Sequence, residues 1–539
     1  MRKIKNNVIG LLTVATLFFS ACSKDLNVPP PNNITDQQIK DLLASGDTTK
    51  TKLIIGSMAN NMPLLFNFSG ITGQGTANTS YYTNNGLAVM RTLEANDMVL
   101  GNQAGLSVLA GSVEYDLGNI QSSDVGLNVP YWYYAWGIIT KANQMLNYLP
   151  NNIVANNTFL EGAKASGLVI RAYAYNFLME NYQDAYLQGG QGKLGMPLYT
   201  TFNPNQPYQA RASSADTYKF IKNDIDSAIL LLQGAGVGYT SNLSDIDLGV
   251  ANFILARVSL VTGDWPTAIS ACNGILSQNP NLMSQAEYGG KNTGTSAHPT
   301  FDPTTNGFLN NAVDPEAILG FPVGVANTAF VDLMDPFGGS YGGMNLAYKR
   351  IDARLYNKIA NDDYRIDGFQ GSSPFGNYTY PQTGTVNTLP SYINFKFAST
   401  QGFDGVGIHS NQTTAVYMRT SEVLLMKAEA QAQSGDGSGA VATLNVLLAA
   451  RTRTGATPLT CATYPSMVGL SPLQMVQLQT RIEMWGENGL EFYNNKRWNI
   501  PVDRTGSTNH INFNTLPVSG MTMQIPQDEM ASNPKAVQN

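Results

Sequence analysis

Charge is scarce in this chain. Only 13% of its 539 residues are Asp, Glu, Lys or Arg, against ~25% in an average globular protein. There is no basic excess either: 32 Lys and Arg face 38 Asp and Glu, a net charge of -6. A nucleic-acid binder needs a cationic face to neutralise phosphates, so that class is excluded. Histidine and cysteine number three each. No His-Glu-x-x-His, Cys-x-x-Cys or P-loop pattern occurs, which leaves little material for metal, thiol or nucleotide chemistry. No apolar run approaches the ~20 residues that a membrane-spanning helix requires. The hydrophobic share is nonetheless 43%, which excludes general disorder.

What is present begins with an address. Arg2, Lys3 and Lys5 precede twelve largely apolar residues, Val8 to Phe19, and then Ser20-Ala21-Cys22. This is the pattern of a signal peptide over residues 1–21. Small residues directly before Cys22 form a lipobox, so Cys22 is the expected acylated N-terminus of a lipoprotein. Residues 22–45, with Pro29-Pro30-Pro31, read as an extended tether. Residues 46–539 read as one domain. Cys272 lies on an apolar helical stripe, so a buried free thiol is expected there rather than a bridge to Cys461.

Helical periodicity recurs over Pro130–Leu149, Glu161–Leu187, Ala215–Leu232, Asp247–Val261, Trp265–Leu276, Arg419–Gln433, Ala440–Arg451 and Pro472–Trp498. Two helix pairs turn at glycine, around Gly263-Asp264 and Gly435-Asp436. Leu255-Ala256, Gly263, Trp265, Ala268 and Pro280 place small and bulky residues as a tetratricopeptide repeat does. The expected fold is therefore mainly α: a tetratricopeptide-like scaffold over about 130–280 and 413–500. A large irregular, loop-rich lobe occupies about 67–125 and 281–412, with few short strands at Ala317–Phe321, Ile393–Phe397 and Ala415–Met418. A loop region that long in a compact body is usually functional.

The five Trp sit mainly on helical stripes and read as core. The lobe's rings are Tyr and Phe, among them Tyr81, Tyr82, Tyr288, Phe337 and Tyr341. Flat rings beside neutral amides and an occasional carboxylate suit sugars, which offer an apolar C–H face and many hydroxyls. Tyr81-Tyr82-Thr83-Asn84-Asn85 combines both elements. The expected ligand-binding residues are Tyr81, Tyr82, Asn84, Asn85, Asp97, Tyr288, Phe337 and Tyr341. Glu483, Glu487 and Glu491 recur every fourth residue and read as a structural ion-pair ladder rather than a glycosidase pair. Asn361, Asp362, Asp363 and Asp367 offer oxygens that calcium would accept, although a solvated acidic turn is the plainer reading. No cofactor and no catalytic residue is expected.

Taken in order, several blocks resemble the SusD/RagB family of outer-membrane nutrient-binding lipoproteins. They are the lipobox and tether, Ala142-Asn143, Arg171-Ala172-Tyr173, Pro197-Leu198-Tyr199, Tyr417-Met418-Arg419 with Glu422 and Ala428-Glu429-Ala430, and a terminal Ile525-Pro526-Gln527, Glu529, Asn533-Pro534 and Gln538-Asn539. The resemblance implies a four-repeat tetratricopeptide scaffold against an irregular lobe that holds the ligand by aromatic stacking. It further implies a lipid-anchored, surface-exposed outer-membrane protein and no enzyme. Its implied partner is a SusC-like TonB-dependent transporter that receives the captured oligosaccharide. Two alternatives stay open: an oligopeptide-binding RagB-like protein, and a scaffold that gates the transporter without a ligand of its own.

Overall fold

A computed structural model describes residues 35–68, 83–100, 115, 117–118, 120–124, 127–295, 299–322, 333–337, 348–379, 386–399 and 414–539. Backbone contacts divide the chain after Ser57. In the first unit, helix α1 (Asp36–Ser45) is followed by α2 (Thr48–Asn61), which runs past the division. Thr35 and Gln38 form a reciprocal capping box at the start of α1. The expected tether through residue 45 is therefore helical over its last ten residues, because capping and an Asp36–Lys40 pair support a short helix there.

Beyond the end of α2, the second unit continues with α3 (Asn84–Leu93) and strand β1 (Met98–Leu100). The helical body then runs α4 (Asn128–Leu146), α5 (Asn151–Val154), α6 (Thr158–Tyr182), α7 (Ser214–Gly234), α8 (Leu248–Thr262) and α9 (Trp265–Leu276). The insertion contributes β2 (Ala317–Pro322), β3 (Lys349–Ile351), α10 (Ala353–Tyr356), β4 (Phe375–Thr379) and β5 (Val386–Leu389). After β6 (Thr414–Arg419) come α11 (Thr420–Gln433), α12 (Gly437–Ala450), α13 (Pro472–Glu483) and α14 (Leu490–Trp498). Short strands β7 (Val502–Asp503) and β8 (Thr515–Leu516) and helix α15 (Gln527–Ser532) end the chain.

Successive helices stack: α4 on α6, α6 on α7, α7 on α8, α8 on α9, and α11 on α12 and α13. The stack does not stop at the insertion, because α9 packs directly on α11. The turns at the two glycine sites are near copies. Gly263 (φ 76°) and Gly435 (φ 90°) take the left-handed conformation that glycine tolerates best. Asp264 (φ -84°, ψ 70°) and Asp436 (φ -85°, ψ 68°) then cap the following helix through their carboxylates. This repetition, with the mainly helical content, bears out the tetratricopeptide-like reading. Gly435-Asp436-Gly437 is an interhelix turn.

Among the described residues each sheet has two antiparallel strands: β1 with β3, β2 with β6, β4 with β5, and β7 with β8. Two sequence expectations need correction. Residues 84–93, expected to be irregular, are helical with nine of ten residues buried. Arg91 explains why: its guanidinium stacks 4.3 Å from the Phe492 ring, pairs with Glu94 and donates to Asn181 Oδ1 at 2.6 Å. The expected single helix Pro472–Trp498 is two, because Gly486 (φ 78°), Asn488 (φ 53°) and Gly489 (φ 66°) take left-handed conformations between α13 and α14. Arg91 Cβ would lie 2.9 Å from a Cβ at Gly489, so the turn and the α3 contact require each other.

That break sends the three glutamates to different partners. Glu483 accepts from Arg365, Arg419 and Arg451 at 2.7–3.0 Å, entirely buried. Glu487 accepts from Arg419 at 2.7 Å and Lys396 at 2.6 Å. Glu316 at the start of β2 accepts from Arg419 at 2.8 Å and Arg451 at 2.5 Å. Glu491 instead accepts the backbone N–H groups of Asn96 and Asp97, each at 2.9 Å. Cys272 and Cys461 are buried free thiols.

The arginines hold the Glu483 carboxyl well below the usual carboxylate range, against the opposing effect of burial. Asp314 differs: burial and the neighbouring Glu316 push it up to about 8, and its Oδ2 has no hydrogen-bond partner. Replacing Glu483 by Gln leaves the hub's guanidiniums short of charge and is expected to cost ~3–5 kcal/mol in denaturant unfolding. Glu483's contribution is present above the unfolded carboxylate pKa of ~4.3 and is lost only as pH falls through its lower folded value. Asp314 acts oppositely: the folded state keeps a proton that the unfolded state has released, so stability falls as pH rises from about 4 to about 8. Asp314→Asn is expected to flatten that decline, read as a smaller Tm difference between about pH 5 and about pH 8.

Candidate functional site

The start of α3 brings Asn84 to the rim of an inner cavity. Asn84 is half-buried, and its Oδ1 accepts from the Tyr173 hydroxyl at 2.9 Å. Tyr173 lies 3.1 Å from the Tyr134 hydroxyl. Phe66, Tyr173, Phe177, Tyr417 and Tyr493 supply aromatic walls, and Asn84, Asn176, Glu180, Arg257 and Asn488 the polar ones. Asn85, one residue on, is buried. The cavity measures about 50 Å³, enough for a few water-sized groups such as ligand hydroxyls but not for a ring.

Each polar wall has a structural reason for its position. Tyr173, Asn176, Phe177 and Glu180 fall at i, i+3, i+4 and i+7 on α6 and so share one helix face. Arg257 of α8 forks onto Glu422 of α11 at 2.7 and 2.8 Å and lies 4.7 Å from the Phe253 ring. Asn488, in the turn before α14, donates to the Tyr417 carbonyl at 3.1 Å. Glu180 accepts from Asn176 at 2.8 Å, and burial raises its pKa above the usual value. Burial likewise keeps the Tyr173 and Tyr417 hydroxyls protonated. The cavity therefore offers hydroxyls, amides, one carboxylate and the Arg257 guanidinium. Glycosidases use two carboxylates, and Glu180 is the only one in this lining.

The other expected site residues lie elsewhere. Tyr288 is 2% exposed, with its ring against Phe308 at 4.9 Å and Tyr364 at 5.5 Å. Phe337 is fully buried beside Phe301 and Phe395 in a small core of the insertion. Neither ring has a face left for a ligand, because the irregular segments bury apolar surface among themselves. Asp97 gives both carboxylate oxygens to Arg481 and its carbonyl to Trp485 Nε1 at 3.0 Å. All three are corrected from ligand contacts to structural residues.

Tyr81, Tyr82, Tyr341 and Cys22 lie outside the described residues, as do His298 and His409. His510 is buried, with Asn96 O 2.8 Å and Asp352 3.3 Å from its Nε2. In the acidic turn, Asp363 pairs with Arg365 and Asp367 with Arg453, each at 2.6 Å. The calcium reading thus loses two of its four ligands to arginine. No group of potential metal ligands occurs among the described residues.

Sequence reading missed Tyr173, Asn176, Glu180, Arg257 and Tyr493. The signal was available on α6, where a polar and aromatic stripe runs beside the apolar stripe of Leu168, Ala172, Tyr175 and Met179. Asp97→Ala is expected to lower stability by an amount toward the lower end of ~3–5 kcal/mol, because Arg481 is only partly buried (27% exposed). Polysaccharide retention by the folded fraction is expected to stay unchanged. Differential scanning calorimetry and affinity electrophoresis check the two halves of that prediction.

The chain matches known proteins over most of its length. Residues 275–539 match the model of the SusD family, and residues 64–236 match one described as starch-binding associating with outer membrane. A SusD-like carbohydrate-binding protein from Bacteroides vulgatus shares the fold at TM-score 0.65 and 20% identity, covering 91% of this chain and 97% of that one. A SusD superfamily protein from Bacteroides thetaiotaomicron superposes at TM-score 0.67 and 18% identity, covering 90% and 99%. Surface glycan-binding protein A from Bacteroides fluxus does so at TM-score 0.63 and 15% identity, covering 91% and 99%. No curated protein matches the chain. The chain belongs to the SusD/RagB family.

Proposed function

We propose that this SusD/RagB family member is a cell-surface glycan-binding lipoprotein, held in the outer membrane by acylated Cys22. It captures oligosaccharide and delivers it to a SusC-like TonB-dependent transporter, without catalysing a reaction of its own. The observation that carries this reading is the Asn84 cavity. Its groups are mainly neutral hydroxyls and amides between aromatic walls, with one carboxylate, Glu180, and one guanidinium, Arg257, which is already paired with Glu422, and this suits sugar hydroxyls and not bond cleavage. The family description of residues 64–236 as starch-binding supports the ligand class.

The ligand residues we assign are Asn84, in the cavity lining, and Tyr81, Tyr82 and Tyr341, which lie outside the described residues. Asn85, one residue on, is buried, and its side chain hydrogen-bonds the Tyr417 hydroxyl, so we assign it to the support of the cavity wall. The cavity accepts a hydroxyl-bearing substituent, and stacking of a tyrosine on a sugar ring is worth ~0.5–1.5 kcal/mol beyond the area it buries.

A second reading, oligopeptide binding, has one observation in its favour. Glu180 and Arg257 place opposite charges in the same cavity, as a peptide's termini would require. Affinity electrophoresis against a polysaccharide panel separates the two. Wild type is expected to be retarded by at least one polysaccharide, and the variant with Tyr81, Tyr82, Asn84 and Tyr341 all changed to Ala to run free. Retardation that survives all four changes removes the site. Free migration of wild type in every gel, with an oligopeptide found by mass spectrometry of the purified protein, favours the peptide reading.

A further inference from the structure

A larger cleft lies on the first helix pair, away from every residue assigned so far. Its floor is the outer face of α4, with Trp136, Ile139 and Thr140, and its wall is the strap of residues 199–208. Glu529 of α15 closes one side. The volume is about 350 Å³, within the ~300–1,000 Å³ range of small-molecule sites.

The strap is fixed before any ligand arrives. Arg171 on α6 forks onto Asp224 of α7 at 2.7 and 2.8 Å, and this pair is nearly fully buried. The same guanidinium donates to Asn143 Oδ1 at 2.8 Å and to the Thr200 carbonyl at 3.2 Å. Asn143 Nδ2 donates to the Tyr199 carbonyl at 2.8 Å. The Tyr199 N–H donates to the Tyr175 hydroxyl at 2.8 Å. At the far end, the Gln209 N–H donates to the Tyr199 hydroxyl at 3.0 Å, and Asn533 Nδ2 donates to the Gln209 carbonyl at 3.1 Å. The Tyr199 ring, held this way, loses little freedom on binding, which raises affinity without added contacts.

The lining has one chemical character. Trp136 and Tyr199 meet edge to face, centroids 5.6 Å apart at 76°, so their faces point in different directions. Phe202 is half-buried and Tyr208 is 47% exposed, which leaves apolar ring surface in water at a cost that a ligand would recover. Between them stand neutral amides, Asn203 and Gln206. Glu529 is the single charged group, and no Lys, Arg or His lines the cleft. Phosphate, sulfate and uronate ligands would meet a carboxylate and no cation. A ligand with an apolar face and neutral hydroxyls at its edge meets both ring and amide.

We propose that this cleft is a second binding site, for a neutral saccharide, separate from the Asn84 site. It rests on the glycan reading above only for the ligand class.

Titration calorimetry on the mature chain tests it with maltotriose, cellotriose, xylotriose and laminaritriose, and with trigalacturonate and choline as charged controls. At least one neutral trisaccharide is expected to bind saturably and more tightly than either control. Phe202→Ala with Tyr208→Ala is expected to weaken that binding at least tenfold, with Tm kept within about 2 °C of wild type. Trisaccharide binding is expected to persist when Tyr81, Tyr82 and Tyr341 are changed to Ala. If the double variant does not fold, Tyr208→Ala alone, at an exposed position, is expected to weaken binding at least threefold.

Failure of every neutral trisaccharide to bind overturns the cleft, as does a preference for choline or unchanged affinity in the cleft variants. Polysaccharide retention lost only in the Tyr81, Tyr82, Asn84 and Tyr341 variant bears on the first site alone. Trisaccharide binding lost only in the cleft variants bears on the second alone.

Discussion

Three buried arginines converging on one carboxylate tie the insertion to the second part of the helical stack. Glu483 ends α13, Arg419 ends β6, Arg451 follows α12, and Arg365 comes from the insertion. Glu316 and Glu487 answer the same guanidiniums, and Lys396 reaches Glu487 and the Glu483 carbonyl. With Asp363 on Arg365, four cations face four carboxylates inside the protein. Desolvating so many charges is expensive, and such a cluster gains little over an apolar core of the same volume. What it supplies is direction. Arg–carboxylate forks tolerate few geometries, so the strand and helix ends that carry them have one way to meet. The continuous stack of α9 on α11 depends on that meeting, because the whole insertion leaves and returns between them.

The helices were legible where an apolar stripe ran for three turns or more. Trp265–Leu276 agrees residue for residue, α4, α7, α8 and α11 agree to within three residues at each end, and α6 stops five residues before the expected Leu187. Periodicity failed where tertiary contacts decide. Residues 84–93 form a short helix between polar neighbours, and its stabilising partners, Phe492 and Asn181, lie far along the chain. The glutamates at 483, 487 and 491 mimic one continuous helix face, yet left-handed residues at 486, 488 and 489 break it. The break is what frees Glu487 for the hub and Glu491 for the backbone of residues 96 and 97.

The candidate site was legible in chemistry more than in place. Low charge and abundant amides pointed to neutral ligands, and both cavities are lined mainly by rings, amides and hydroxyls, with one carboxylate each and an arginine in the Asn84 cavity. Position was harder, because an aperiodic segment need not be exposed. Tyr288 and Phe337 sit in stretches without helical period and are nevertheless core. Trp136 errs the other way: its stripe is helical, but α4 has an outer face, and the residue is only half-buried there. The blocks that carried the family resemblance have a physical explanation in the strap. Asn143, Arg171, Tyr199 and Asn533 are linked by one chain of hydrogen bonds.

The last residues reach back to the first helices. Asn539 donates to the carbonyl of Tyr182, 357 residues earlier, and to that of Met523; Gln538 and Ile525 bond reciprocally. The Met523 N–H in turn donates to the Asn181 carbonyl. The last two carbonyls of α6 therefore take their partners from the final segment. Contacts of such sequence separation form late and slowly. The end of α6, the helix that also supplies one wall of the Asn84 cavity, is therefore closed by residues from the far end of the sequence, so the wall is set by long-range contacts and not by its own helix alone.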